Sequence, residues 1–187
     1  MKGSTNVMRI LHGAALTVGL AACSGSPLAP ADNAALDMAS AGATVTQFTA
    51  TDVFTGLVDP GLIEPREKHF VVRGVIVTSR ITGSDPRVAG NARITVNEQL
   101  LLADGSGPVW GKLEVEADVG GVWEGSWTGQ REPVGPGLWV ATLKLVGQGR
   151  GGAIDGLQFR AQELVYTADP FVGPHYGETT GTILLPH

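Results

Sequence analysis

Residues 109–165 read VWGKLEVEADVGGVWEGSWTGQREPVGPGLWVATLKLVGQGRGGAIDGLQFRAQELV, and their alternation decides the fold. In the first part, Leu113, Val115 and Ala117 alternate with Lys112, Glu114, Glu116 and Asp118. A period of two is the pattern of a strand with one buried face. Gly120 and Gly121 turn the chain. Trp123, Gly125, Trp127 and Gly129 then share one face, and Glu124, Ser126, Thr128 and Gln130 take the other. After a Pro/Gly turn at residues 133–137, Trp139, Ala141, Leu143 and Leu145 repeat the pattern. Beyond a Gly-rich turn, Leu157, Phe159 and Ala161 alternate with Gln158, Arg160 and Gln162. Short turns between long alternating runs make this an antiparallel meander.

The same reading extends outward. Residues 44–54, 69–82 and 92–103 are rich in Val, Ile, Thr and Leu and read as strands; residues 179–185 form the last one. Pro60, Gly61 and Pro65 mark one loop, and residues 169–177 another. The result is an all-β domain of eight strands with no convincing helix. Eight hairpin-linked strands suit a single antiparallel up-and-down β-barrel, with a β-sandwich as the alternative. A hydrophobic content of 43% against 17% charge supports a packed core, and 27 glycines fit tight turns and bulges. The net charge of −5 gives a nucleic-acid partner no electrostatic support. A single cysteine excludes an internal disulfide.

The N-terminal segment reads as targeting rather than structure. Lys2 and Arg9 precede an apolar run at residues 10–22 that is too short to span a bilayer. It ends in Leu20-Ala21-Ala22-Cys23, which resembles the lipobox of bacterial lipoproteins. That resemblance implies a signal peptide at residues 1–22, lipidation of Cys23 and a membrane anchor in the cell envelope. Ser24 lacks the acidic character that retains some lipoproteins at the inner membrane, so the outer membrane is expected in a Gram-negative host. Residues 23–43, rich in Ala, Ser, Pro and Gly, read as a flexible lipidated tether spanning about 25 Å. Residues 44–187 are the expected barrel domain.

Within that domain, Gly121-Val122-Trp123-Glu124-Gly125-Ser126-Trp127-Thr128-Gly129, Gly147-Gln148-Gly149, Asp155-Gly156-Leu157 and Gly181-Thr182-Ile183 resemble the allene oxide cyclase and dirigent type of barrel. These residues are glycine and aromatic landmarks. The resemblance therefore implies a fold and carries over no catalytic residue.

Residues 147–152 satisfy a GxGxxG pattern, but a dinucleotide site needs a helix after the glycines, and the period of two continues instead. His69, His175 and His187 are too scattered for a local metal pair, and neither cofactor nor metal is expected. His175, with Asp169, Tyr176 and Glu178, reads as a loop at a barrel mouth. More informative are charges that share the phase of apolar residues: Asp52 with Phe48 and Phe54, Arg73 with Val71 and Val75, Glu98 with Val96 and Leu100, Glu163 with Ala161 and Val165. If those phases face inward, three carboxylates and a guanidinium enter the barrel, where buried charge needs a partner or shifts its pKa. A bulge that flips the register is the competing explanation.

Three functions follow as expectations. The first is a barrel that binds a small apolar or amphipathic ligand against Trp123, Trp127, Trp139 and Phe159. The second is a cyclase- or isomerase-like enzyme with Glu98 or Glu163 as acid–base group, Arg73 as electrostatic partner and Asp52 nearby. The third is a structural or interaction protein of the envelope, whose outer face could serve a homo-oligomer.

Overall fold

A computed structural model describes residues 44–168 and 173–185. Cys23, Asp169 and His187, together with the signal and tether, lie outside them. Nine strands run β1 (Thr44–Asp59), β2 (Leu62–Pro65), β3 (His69–Gly83), β4 (Gly90–Leu101), β5 (Gly107–Ala117), β6 (Val122–Gly135), β7 (Leu138–Arg150), β8 (Gln158–Thr167) and β9 (His175–Leu185). Each of β3 to β8 pairs antiparallel with the next, β9 pairs with β1, and β1 pairs with β3. That last pairing closes eight strands into an up-and-down barrel and eliminates the sandwich.

The ninth strand is β2, which falls where residues 60–65 predict a loop. β1 is longer than expected, and the chain kinks at Pro60-Gly61 before continuing as β2 against the start of β3. Gly61 lies so close to the backbone of Arg73 and Val75 that a side chain there has no room. β1 and β2 are thus one strand interrupted by a kink.

The interior packs by matching large residues to glycines in direct register. Trp127 faces Gly111, Phe159 faces Gly147 and Phe48 faces Gly181, and in each pair the ring occupies the space a glycine Cβ would fill. Leu113 with Gly125 and Leu143 with Gly129 repeat the arrangement. Alternation of large and small inward residues is how a small barrel fills its bore.

One end is sealed. We call it the lower end; β1 begins there and β9 ends there. The β3–β4 loop tucks Val88 inside, and Trp123 Nε1 donates to the Arg87 carbonyl at 2.7 Å. A 3-10 turn, Gly152–Ile154, adds the fully buried Ile154 beneath Gly149.

A single bulge matters for function. Val72 pairs with Glu98 and Val75 with Val96, so Arg73 and Gly74 together oppose Asn97. Gly74 takes a φ of 67°, a left-handed value that glycine adopts without strain, and its N–H donates to Asn97 Oδ1 at 3.0 Å. The extra residue reverses the parity of the strand. Val72 faces in and Arg73 faces out, exposed. The expectation that Arg73 enters the barrel is corrected: its phase with Val75 and Val77 is interrupted at Gly74.

The glycine matching is testable. A Gly111→Ala methyl would meet the Thr95 carbonyl and the Trp127 ring. Overpacking of this kind costs about 2 kcal/mol, whereas Gly135→Ala, which meets nothing within 4 Å, should change stability by less than about 0.5 kcal/mol. Urea denaturation of both variants measures the difference; equal midpoints would contradict the packing.

Candidate functional site

Inward-facing Ile81, Ile94, Val96, Leu145 and Val165 are only partly buried, because they border open space. That space is an interior cavity of about 150 Å³. Its floor is Val88, Trp123 and Phe159, and its waist includes Ile94, Leu113, Leu145 and Trp127. At the upper end the lining turns polar: Asp52, Glu98, Arg131, Glu163, Thr179 and His175. An apolar bore with charged groups at one pole is amphipathic in the sense that ligand pockets usually are.

The structure places the sequence-derived candidates as follows. Asp52, Glu98 and Glu163 point inward and are 5%, 7% and 7% exposed. Trp123, Trp127 and Phe159 line the cavity; Trp123 and Phe159 meet edge to face at 5.2 Å. Trp139 does not line it. It sits at the upper rim, where its Nε1 donates to the Asp104 carbonyl at 2.7 Å and its ring lies 5.0 Å from the Arg131 guanidinium. The β7 phase aims it inward correctly, but it is one pair beyond the last lining residue of that strand, Ala141.

Two groups complete the polar pole that the sequence reading did not assign to it. Arg131, 2% exposed, lies with Nη1 3.5 Å from Glu98 Oε2, and so takes the role expected of Arg73. The signal was present: Arg131 continues the odd-numbered phase of Trp123 and Trp127. His175 belongs to a strand, not a loop. β9 starts four residues earlier than its β-branched residues suggest, and His175, Gly177, Thr179, Gly181 and Ile183 form its inner face. Tyr176 and Glu178 point outward.

His175 Nε2 is 3.5 Å from Asp52 Oδ2 and 3.3 Å from Ser79 Oγ, and Nδ1 is 3.4 Å from the Gly173 carbonyl. A carbonyl only accepts, so Nδ1 carries a proton and Nε2 is the site that titrates. Burial acts to lower the His175 pKa. The Asp52 hydrogen bond and charge, the Gly173 carbonyl and the Glu163 charge outweigh it, and the pKa rises above its ordinary value. Glu163 sits beside them on β8. Burial and then the Asp52 charge push its pKa up to about 7, against the pull of His175 and a Thr179 hydrogen bond. The approach of the two carboxylates depends on Gly177, since a Cβ there would collide with the Glu163 carboxylate and crowd Asp52.

Among the described residues, two buried polar atoms lining the cavity have no hydrogen-bond partner: Asp52 Oδ1 and Trp127 Nε1. Such atoms are costly to leave unsatisfied. Among the described residues no group of three or more metal-ligating side chains is arranged to hold a metal ion. Comparison with protein-family models, curated proteins and solved structures gave no match to the chain.

The acid at Glu163 has a thermodynamic signature. Its folded pKa lies above the ordinary 4.5, so the folded state holds more protons between pH 4.5 and about 7. The stability this contributes is complete below that window and is lost as pH rises through it. His175, also raised, loses its contribution above 6.5 in the same direction. Urea stability of the wild type should therefore fall from pH 5 to pH 8. In E163Q the fall should be smaller, by on the order of 3 kcal/mol at most. Identical pH slopes in the two proteins would exclude a raised Glu163.

Proposed function

We propose that this protein is a membrane-tethered envelope lipoprotein whose barrel binds a small amphipathic ligand. The observation that carries the reading is the cavity itself: an apolar bore, sealed below, with a charged pole and two unpartnered polar atoms that a ligand would satisfy. Its volume of about 150 Å³ sets the size. A dry apolar cavity of about this volume accepts a benzene-sized guest, so the ligand is a single ring or a short branched chain, not a lipid or a sterol.

Benzyl alcohol has this size, an apolar body and a polar head. Millimolar benzyl alcohol should raise the melting temperature of the soluble domain, residues 44–187, and perturb tryptophan fluorescence through Trp123 and Trp127. Ile94→Phe, which fills the waist, should abolish both responses, and 2-naphthylmethanol should elicit neither. Absence of any response in the wild type to benzyl alcohol and to its amine and carboxylate analogues would sink the reading. Chemical conversion of a bound compound that depends on Glu163 would move the conclusion to the cyclase or isomerase alternative.

The anchor has its own test. Palmitate labelling of the full chain in a bacterial host should be strong, and Cys23→Ala should remove it and release the protein from the membrane fraction. Labelling that survives the substitution would contradict lipidation at Cys23.

A further inference from the structure

The chemistry of the polar pole selects the ligand's head group, an inference that rests on reading the cavity as a ligand site. Among the described residues, three carboxylates line it, Asp52, Glu98 and Glu163, against two side chains that form cations, Arg131 and His175. Glu98 lies against Arg131 and Asp52 against His175, each pair at 3.5 Å. With both pairs formed and every acid ionised, these five groups hold one negative charge in excess, and that charge falls at Glu163.

Its position is as informative as its sign. In barrel order β8, β9 and β1 are adjacent, while β4 and β6 form the far wall. Glu163 on β8 and Asp52 on β1 therefore flank β9, and at Gly177 no side chain separates them. His175 on β9 engages Asp52 through Oδ2 and leaves Oδ1 unpartnered. From β7, the other neighbour of β8, the residue opposite Glu163 is Leu143, which supplies no charge. Two carboxylates thus converge on one place with an acceptor atom unused, in a site that excludes water on its lower side. Buried carboxylates in this relation repel each other unless a proton or another cation stands between them.

We propose that the ligand is a small primary amine, bound with its ammonium group between Asp52 and Glu163 and its apolar body against Ile94, Leu113, Leu145 and Trp127. An ammonium brings one positive charge and three N–H donors, which match the excess charge, the free Asp52 Oδ1 and the Glu163 carboxylate. A carboxylate head would meet three acids. A hydroxyl could donate to Asp52 but would leave the excess charge unbalanced. A metal ion is disfavoured because no set of three ligating side chains converges among the described residues. The proton balance is simple: the amine enters as its ammonium ion, and the proton that Glu163 holds below about pH 7 leaves to solvent.

Three isosteric probes decide the matter on the full wild-type chain: benzylamine, benzyl alcohol and benzoate, titrated by calorimetry in phosphate buffer at pH 6 and pH 8. Benzylamine stays protonated at both values. It should bind at least tenfold tighter than benzyl alcohol at pH 8, and benzoate should bind weakest. Its affinity should rise about tenfold from pH 6 to pH 8 as Glu163 gives up its proton, with proton release measurable at pH 6. E163Q should lower the benzylamine-to-benzyl alcohol affinity ratio at pH 8 by at least tenfold, and D52N should lower it as well. Benzyl alcohol or benzoate binding as tightly as benzylamine at pH 8 would overturn the amine assignment and leave the cavity reading standing. Failure of all three to bind would overturn both.

Discussion

The closed hydrogen-bonded circuit, sealed by the β1–β3 pairing, sets everything inside this molecule. Eight strands enclose a bore that side chains nearly fill, so a large inward ring is accommodated where the neighbour on one flanking strand is a glycine. The Trp127–Gly111, Phe159–Gly147 and Phe48–Gly181 pairs are the direct expression of that constraint. The same constraint explains the polar pole. Gly177 stands between two acids in the way that Gly111 accommodates an indole, and the space it leaves is occupied by the Glu163 carboxylate. The cavity is the part of the bore where this matching stops, between the Trp123–Phe159 contact below and the charged groups above.

Burying charge in such a bore is costly, and the arrangement limits the cost by pairing. Arg131 is held by Glu98 on one side and lies over the Trp139 ring on the other, so its cation meets a carboxylate and the face of an aromatic quadrupole. His175 is held between the Gly173 carbonyl and Asp52. Glu163 has a hydroxyl, from Thr179, and a like-charged neighbour, and the cheapest resolution available to it is to keep its proton. The net stability of buried ion pairs is small or negative compared with apolar packing. Five ionisable groups in a bore that leucine and valine could fill are therefore poorly explained as stabilising elements, which supports the proposed reading of this pole as the head-group end of a ligand site.

Much of this was legible in the sequence, for a physical reason. A barrel strand exposes one face to its own interior and the other to solvent, so the period of two survives wherever the pairing is regular, and Asp52, Glu98 and Glu163 stand out as charges in an apolar phase. Arg131 obeyed the same rule and was readable from Trp123 and Trp127. Arg73 failed because parity is counted from neighbours, and the bulge at Gly74 inserts a residue that the alternation on either side does not reveal. β2 and the start of β9 failed because Pro60, Gly61, Gly173 and Pro174 carry turn chemistry. Kinks and strand entries use the same residues as loops, and only the pairing partner distinguishes them.

The orientation of the site follows from where those irregularities fall. The Gly74 bulge, the Pro60–Gly61 kink and the His175 strand entry all lie toward the upper half of the barrel, while the lower end is closed by Val88, Ile154 and the Trp123 hydrogen bond. Regular pairing below makes a tight floor of apolar side chains. Broken pairing above frees backbone geometry to bring His175 next to Asp52 and to turn Arg73 out of the bore. A guest in this cavity therefore has one sensible orientation, apolar body down and polar head up, because the floor offers no hydrogen bond and the pole offers an unpartnered carboxylate oxygen. Trp127 Nε1, at the waist, is the exception to that division. It gives a ligand bearing an oxygen on its body a second point of attachment, which an unsubstituted hydrocarbon body would leave unused.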